Sequence, residues 1–586
     1  MKTFLLSFLG GIAALVVFFV LIPIVLLMSF LPSGEPAPVR SAVLEIDLRA
    51  AYPDQPATDG ISALFSQTSF VEMLLRLNAA ADDPNVKGVF VRAAEVDLGS
   101  SRAEELRAAF LRLKAKNKFI IAHSQGFLAS GPAAYRAISA ADEIWMQPGS
   151  SFETPGITFE TLFLGGLMDK VHVTPEMEQF YEYKNAVNVY KDETYTAPHA
   201  EAMTRLAESV WSDSIADIAT DRKSEPAAMR ALLEASPYPA EKAVELKLID
   251  KLGWPEEAAD AAKARANGDL VWIEDYHPPR HSGDAVIAIV GGEGDIVTGG
   301  GSNGNILGGG GAQFASDRVA AELLALVDDK TIDAVVFRVD SGGGSATASD
   351  QIWRAVERLQ ESGKKVVVSM GSMAASGGYY VAAGADAIVS NRSTITGSIG
   401  VFGGKFAVAD GLRMLGVNPA SVGVGGTFAS AYSTEKLTDV QRGQLVGSLE
   451  SVYQRFTTLV SEGRKLPIAR VQEIAKGRVW SGADAKELGL VDETGDLIAA
   501  VDKAKVLAGF KPEDSTEIRL KLNEASPFDL VMGMFASAQA SSGERQVLSA
   551  LGTVAGRKRA AALIQQLNVM GQEPGAKVWS PPVVEH

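Results

Sequence analysis

The sequence predicts an α/β protein in which one strand–helix unit is used twice. Three observations predict it. Two stretches roughly 245 residues apart carry the same order of elements. Their strands are short β-branched runs without polar alternation, the pattern of a parallel sheet covered on both faces. Glycine-rich loops follow those strands, on the side where open parallel sheets bind ligands. The length of 586 residues agrees, because single cores rarely grow past roughly 250–300 residues.

The elements follow in order. Phe4–Leu31 carries no charge and is dominated by Leu, Ile, Val and Phe, and about 20 such residues cross roughly 30 Å of hydrocarbon. The run is too long for a signal-peptide core and no A-x-A site follows it. Residues 1–32 are therefore expected to be a transmembrane anchor, with Pro23 tolerated as a kink. Lys2 precedes the run while Glu35 and Arg40 follow it, which leaves the N-terminus in the cytoplasm and the body outside. Ser33–Pro38 reads as a linker.

The first copy of the unit runs through the strand Asn85–Arg92, a helix over Ser101–Lys116, the strand Phe119–Ser124 and the stretch Ala140–Trp145. The second runs through Thr331–Arg338, a helix over Ala348–Ser362, the strand Lys365–Ser369 and Gly384–Val389. Val171-His-Val-Thr-Pro175 matches Leu415-Gly-Val-Asn-Pro419 further on. The expected domains are residues 42–275 and 283–505, joined by the Pro-marked linker Tyr276–His281. Gly291–Gly311 reads as a mobile loop, and residues 506–586 as a C-terminal extension without an assigned role.

Composition narrows the chemistry. With no cysteine there is no disulfide, thiol nucleophile, iron–sulfur cluster or cysteine-bound zinc. A net charge of -16 argues against nucleic acid as a partner. No histidine pair has metal-ligand spacing on a helix, and no metal or other cofactor is expected.

Three loops in the second copy carry the strongest signals: Asp340-Ser-Gly-Gly-Gly-Ser345, Met370–Tyr379 and Ser393–Gly400. Gly342–Gly344 can turn backbone N–H groups toward a developing oxyanion, and no phosphate-binding G-x-x-x-x-G-K-[ST] occurs. Ser376, between Ala375 and Gly377-Gly378, is the nucleophile candidate. A serine needs a base, but the six histidines stand at 123, 172, 199, 277, 281 and 586, leaving residues 282–585 with none. The other available base is a lysine made neutral by burial. Lys184, flanked by aromatics in Phe180–Ala186, fills that need, and Lys405 is its rival. The first copy lacks the triglycine loop and has Ser130 before Gly-Pro, whereas the second lacks a lysine at the place of Lys184. Nucleophile and base are thus divided between the copies.

Gly342–Ser349, Met373–Tyr380, Thr396–Gly400 and Tyr183–Ala186 resemble bacterial signal peptide peptidase A in its long form, and the likeness covers nearly the whole chain. The resemblance implies two tandem ClpP/crotonase-like domains and a membrane-anchored serine endopeptidase. It also implies a Ser/Lys dyad, a homotetramer, and degradation of apolar signal-peptide remnants on the periplasmic side of the inner membrane. It assigns Ser376 as nucleophile, Lys184 as general base and Ser398 as the group that orients the lysine. The N–H groups of Gly343 or Gly344 and of Gly377 would form the oxyanion hole. Two positions depart from the family's pattern: Gly342 stands where proline is common, and Asp340 where asparagine is usual. The rival readings are a crotonase-type acyl-CoA enzyme, which needs neither dyad nor anchor, and a non-catalytic membrane scaffold that binds apolar peptides. Whether the site lies within one chain or between neighbours is open at this level.

Overall fold

In the computed structural model, residues 41–56, 68–95, 98–128, 131–279, 282–300, 313–521 and 577–579 are described. The expected anchor over 1–32, Ser130, His281 and most of the C-terminal extension lie outside them. Among the described residues, no helix is long and apolar enough to cross a membrane.

The strands of the first half are β1 (Ala42–Asp47), β2 (Val86–Arg92), β3 (Phe119–Ser124), β4 (Glu143–Met146), β5 (Ser151–Phe152), β6 (Thr174–Phe180), β7 (Tyr238–Pro239), β8 (Lys251–Leu252) and β9 (Leu270–Trp272). Six of them form one parallel sheet in the order β8-β4-β3-β2-β1-β9. Helices Phe70–Asp82 and Ser100–Ala115 make the crossovers between β1, β2 and β3. The first of these helices starts at a capping box. Ser69 Oγ accepts from the Glu72 N–H, and the Glu72 carboxylate accepts from the Ser69 N–H.

The second half repeats this plan. Its strands are β10 (Ala285–Glu293), β11 (Asp295–Val297), β12 (Gln313–Ala315), β13 (Ala334–Ser341), β14 (Gly343–Ser345), β15 (Lys365–Ala375), β16 (Ala387–Ser390), β17 (Ile395–Gly397), β18 (Val401–Ala407), β19 (Val479–Ser481), β20 (Glu493–Thr494) and β21 (Thr516–Leu520). The main path is β19-β17-β15-β13-β10-β21, with β16 beside β15 and β20 beside β16. By position, β10, β13, β15 and β16 are the counterparts of β1, β2, β3 and β4.

Three expectations are corrected. Strand β15 runs to Ala375 instead of ending at Ser369, because Met373–Ala375 pairs with Ile395–Gly397 of β17. The expected glycine loop begins as strand: Gly291–Glu293 complete β10 and pair with Arg338–Asp340. The second half also extends past residue 505, since β21 pairs in parallel with β10 as β9 does with β1.

The halves are not separate bodies. Strand β6 of the first runs antiparallel to β18 of the second, from Phe180↔Val401 to Thr174↔Ala407. One apolar core draws Leu44, Ile46 and Val89 from the first half and Ile287, Val336 and Val367 from the second. A buried ion network adds direction to that packing. Arg338 of β13, with no exposed surface, donates to Asp54 Oδ1 and to both Glu105 oxygens, each at 2.8 Å. Arg338 stays charged, and its attraction, with its hydrogen bonds, holds the Asp54 carboxyl below its ordinary range against the cost of burial.

Candidate active site

Ser376 ends β15 and opens the helix Gly377–Ala382 with φ +55° and ψ −114°. An L-residue held there stores about 1–3 kcal/mol of strain. The surroundings hold it: Ser376 N–H donates to Gly397 O, and Tyr380 N–H donates to Ser376 O, both at 2.8 Å. The strand-to-helix turn thereby fixes the position of Oγ.

Lys184 follows β6, just before the short helical turn Asn185–Val187. The pairing of β6 with β18 carries it across from the first half into the second. Its Nζ lies 2.7 Å from Ser376 Oγ, and 2.9 Å from both Ser398 O and Ser398 Oγ. The approach is made within the one chain described. Ser376 is 0% and Lys184 1% exposed. Burial holds the Lys184 amine well below its ordinary pKa, and no neighbouring charge acts on it strongly enough to count among the causes.

A neutral amine has two N–H donors and one lone pair. Ser398 O and Oγ take the two donors, so the lone pair is left for the Ser376 hydroxyl. Ser398 has φ +50°, and its own N–H donates to Arg478 O at 2.7 Å.

The loop Ala475–Arg478 was not legible as part of the site. Tyr181 and Tyr183 N–H both donate to Lys476 O at 3.2 Å, and the Lys476 amine pairs with Glu182 at 3.0 Å. Gly477, at φ +82°, presses on the lysine: a Cβ there would sit 2.5 Å from Lys184 Cβ. A glycine between two cations gives no distinctive motif, so its role emerges only from this contact.

The glycine loop lies beside the serine. Gly343 N–H donates to Ser341 Oγ at 3.0 Å, and Ser341 Oγ–H donates to Gly294 O at 2.6 Å. Of the two glycines considered for the oxyanion hole, Gly343 thus already has a partner. Gly344 must lack a side chain, because a Cβ would meet Ile296 O at 2.1 Å. Gly377 N–H is in the first helical turn, where no intrahelical acceptor exists. Asp340 Oδ1 accepts from Met373 N–H at 2.9 Å. Burial foremost, with Asp54 and Glu293 nearby, pushes its pKa up to about 7 against the pull of Arg102 and Arg338. That upward shift weakens the negative charge that aspartate, standing where asparagine is usual, brings to the loop.

The other candidates are placed elsewhere. Lys405 Nζ donates to the Ser433 and Glu435 carbonyls. His123 is buried in β3 with Nε2 3.1 Å from Gly253 O. His199 packs against Phe163 and Tyr195, and burial lowers its pKa to about 4.

Ser398→Ala removes one of the two acceptors that aim the lysine and leaves the carbonyl. A kcat about 10- to 100-fold lower, with KM little changed, is the expected outcome in peptide-cleavage kinetics. An unaltered kcat would show that the hydroxyl does not position Lys184.

The repeated α/β fold and this serine site define a serine peptidase. A model of peptidase family S49 matches residues 112–269 and 358–511, once in each half. The chain belongs to that family, in the long, two-domain form of signal peptide peptidase A. It is 30% identical over 513 residues to protease 4 of Salmonella typhi, covering 82% of this chain and 80% of that protein. It is 29% identical over 516 residues to the chloroplastic serine protease SPPA of Arabidopsis thaliana, covering 85% of this chain and 74% of that one. Among solved structures, ClpP1 of Listeria monocytogenes aligns with 36% of this chain and 91% of its own, at 16% identity and a TM-score of 0.24, a likeness too slight to say more about the fold.

Proposed function

We propose that this serine peptidase works through a Ser376/Lys184 dyad and degrades apolar peptides, signal-peptide remnants among them, at the membrane. The single observation that carries the dyad is the 2.7 Å approach of Lys184 Nζ to Ser376 Oγ in a site where burial favours the neutral amine. Lys184 takes the hydroxyl proton as Oγ attacks the peptide carbonyl. Gly377 and Gly344 N–H groups receive the oxyanion. The protonated lysine returns its proton to the leaving amine, then draws one from the water that frees the acyl-enzyme. Ser398 O and Oγ hold the ammonium through both steps.

The membrane anchor and a periplasmic location of the body rest on the uncharged Phe4–Leu31 stretch and its flanking charges. The ClpP/crotonase-type assignment of each half rests on the repeated parallel sheet with glycine loops at its carboxyl ends. A homotetramer is supported by an asymmetry of the repeat. In the first half the segment after Val171 enters β6 and pairs with β18. Its second-half counterpart, Leu415–Val424, forms no strand and leaves Val422 and Val424 99% and 93% exposed. A second copy of the chain would give that segment the partner its counterpart has.

The pH dependence tests the dyad. Only neutral Lys184 can accept the proton, so kcat/KM should rise with pH along one limb set by the lysine and level off. Because burial depresses that pKa, the limb should lie well below the ordinary lysine value of about 10.4. A profile still rising steeply near pH 10 would contradict a desolvated base. Leu- and Ala-rich peptides should be cleaved faster than charged ones of equal length. Turnover of an acyl-CoA with no peptide cleavage would instead favour the crotonase reading.

A further inference from the structure

A cavity of about 480 Å³ opens at the amino ends of β2 and β3, the reverse of the strand end that carries Ser376 in the second half. Lys87, Lys114, Lys118 and Arg265 line it, and Asp142 is the one acid among the lining residues. Two helices end there, Ser100–Ala115 and Pro255–Ala266, with Lys114 and Arg265 in their last turns. Helix C-termini attract cations, yet two such ends and Asp142 together offset only about two of the four positive charges. Lys114 pairs with Asp142 at 3.1 Å. Lys87 Nζ donates to Pro84 O, and Lys118 Nζ to Asp83 O and Val86 O, all at 2.7 Å. The Arg265 guanidinium lies over the Phe119 ring at 4.6 Å. Among the described residues, none of these last three cations is in an ion pair with a carboxylate. Burial holds the Lys118 amine below its ordinary pKa, and repulsion from Lys87 adds to the effect.

The second half has the same place without the excess charge. Lys364 Nζ donates to Asp329 O and Ile332 O at 2.8 Å, as Lys118 does to Asp83 O and Val86 O. Asp142 and Asp386 likewise accept from the Ile120 and Val366 N–H groups. In this alignment Asp333 takes the place of Lys87, and Gln360 that of Lys114. Lys365, in place of Phe119, is paired with Asp386 at 2.8 Å. Two lysines are thus balanced by two aspartates. The fold needs only the lysine at 118 or 364, and the remaining positive charge is an addition of the first half.

We propose that this cavity binds a phosphate group, supplied by an anionic lipid headgroup or by free phosphate, with Lys87, Lys118 and Arg265 as its cations. A phosphate brings more than one acceptor oxygen to a cluster of ammonium and guanidinium donors. The chain also enters the body at this edge, since Ala42 N–H at the start of β1 donates to Asn85 O at 2.8 Å. The expected anchor precedes that strand in the sequence, which makes a membrane lipid one source of the group.

Amide exchange over residues 114–119 and 263–267 of the full chain in nonionic detergent reads the binding. Three probes are added separately: phosphatidylglycerol as mixed micelles, phosphatidylcholine as mixed micelles, and inorganic phosphate. Protection of both segments by phosphatidylglycerol or by inorganic phosphate is expected, and phosphatidylcholine, with no net charge, should give less. A response to phosphatidylglycerol alone assigns the lipid source, and a response to inorganic phosphate assigns the free anion. Lys87→Asp, which installs the second half's residue, should require at least about tenfold more of the same anion, because repulsion replaces attraction. Arg265→Gln should weaken the response too. Both side chains are exposed, so both variants should melt with the parent. No protection by either anion up to about 10 mM, or a response equal to the parent's in both variants, overturns the proposal. None of these readouts depends on Ser376.

Discussion

Replacing Ser376 with Ala, or Lys184 with Met, is expected to lower kcat/KM for peptide cleavage by at least about 10⁴-fold, with the double variant no worse than either. Groups that act as one unit lose nearly everything with the first member removed. Among the described residues no second base stands ready, because Lys405 is committed to the Ser433 and Glu435 carbonyls and His123 is held in β3. The lysine variant carries a further signature. In the unfolded chain Lys184 keeps its proton up to about pH 10.4, whereas burial makes the folded site release it earlier. Between the depressed folded pKa and pH 10.4 the unfolded state binds the extra proton, so the stability of the parent rises with pH. Lys184→Met lacks that term, and any advantage it has in melting temperature should shrink as pH rises from 7 toward 10. A gap independent of pH would mean that the folded lysine keeps its charge.

The second large effect concerns stability. Arg338→Met leaves the Asp54 and Glu105 carboxylates buried without their shared cation, at a cost of about 3–5 kcal/mol. Arg338 stands on β13, whose end enters the glycine loop Asp340–Ser345, while its two carboxylate partners come from the first half. Loss of the arginine should therefore both lower the unfolding midpoint and disturb the glycine loop. The triple change Arg338→Met, Asp54→Leu and Glu105→Met should recover most of the stability, because a whole buried network is replaceable by apolar groups where half of one is not. Calorimetry on the two variants checks this. An Arg338→Met chain as stable as the parent would show that the network does not hold the halves together.

The parts of the fold legible in the sequence are those governed by local pattern. β-Branched runs marked Val86–Arg92, Phe119–Ser124 and the core of β13, and the helical patterns placed the helices Ser100–Ala115 and Ala346–Glu361 to within two residues at each end, whereas the crossover helix Phe70–Asp82 was not foreseen. The serine and lysine were legible because chemistry limits the choices: with no histidine over residues 282–585, a nucleophile at Ser376 needs an amine. What escaped depends on contacts between distant segments. Arg338 and Asp54 are 284 positions apart, and nothing near either one announces a buried partner. The pairing of β6 with β18, which delivers Lys184, joins strands from different halves. The Gly477 contact exists only once that delivery has occurred. The strand extension to Ala375 was hidden because Gly371 and Ser372 look like loop residues, although pairing with β17 keeps the following residues extended.

The proposed mechanism requires Ser376 to be a nucleophile activated by Lys184. Mass-spectrometric mapping of the adduct left by a serine-directed fluorophosphonate on the intact chain tests this most directly. The adduct is predicted on Ser376 alone, forming faster as Lys184 deprotonates, and essentially absent from Lys184→Met. An adduct on another serine, or one that forms on Ser376 equally fast without the lysine, would contradict it.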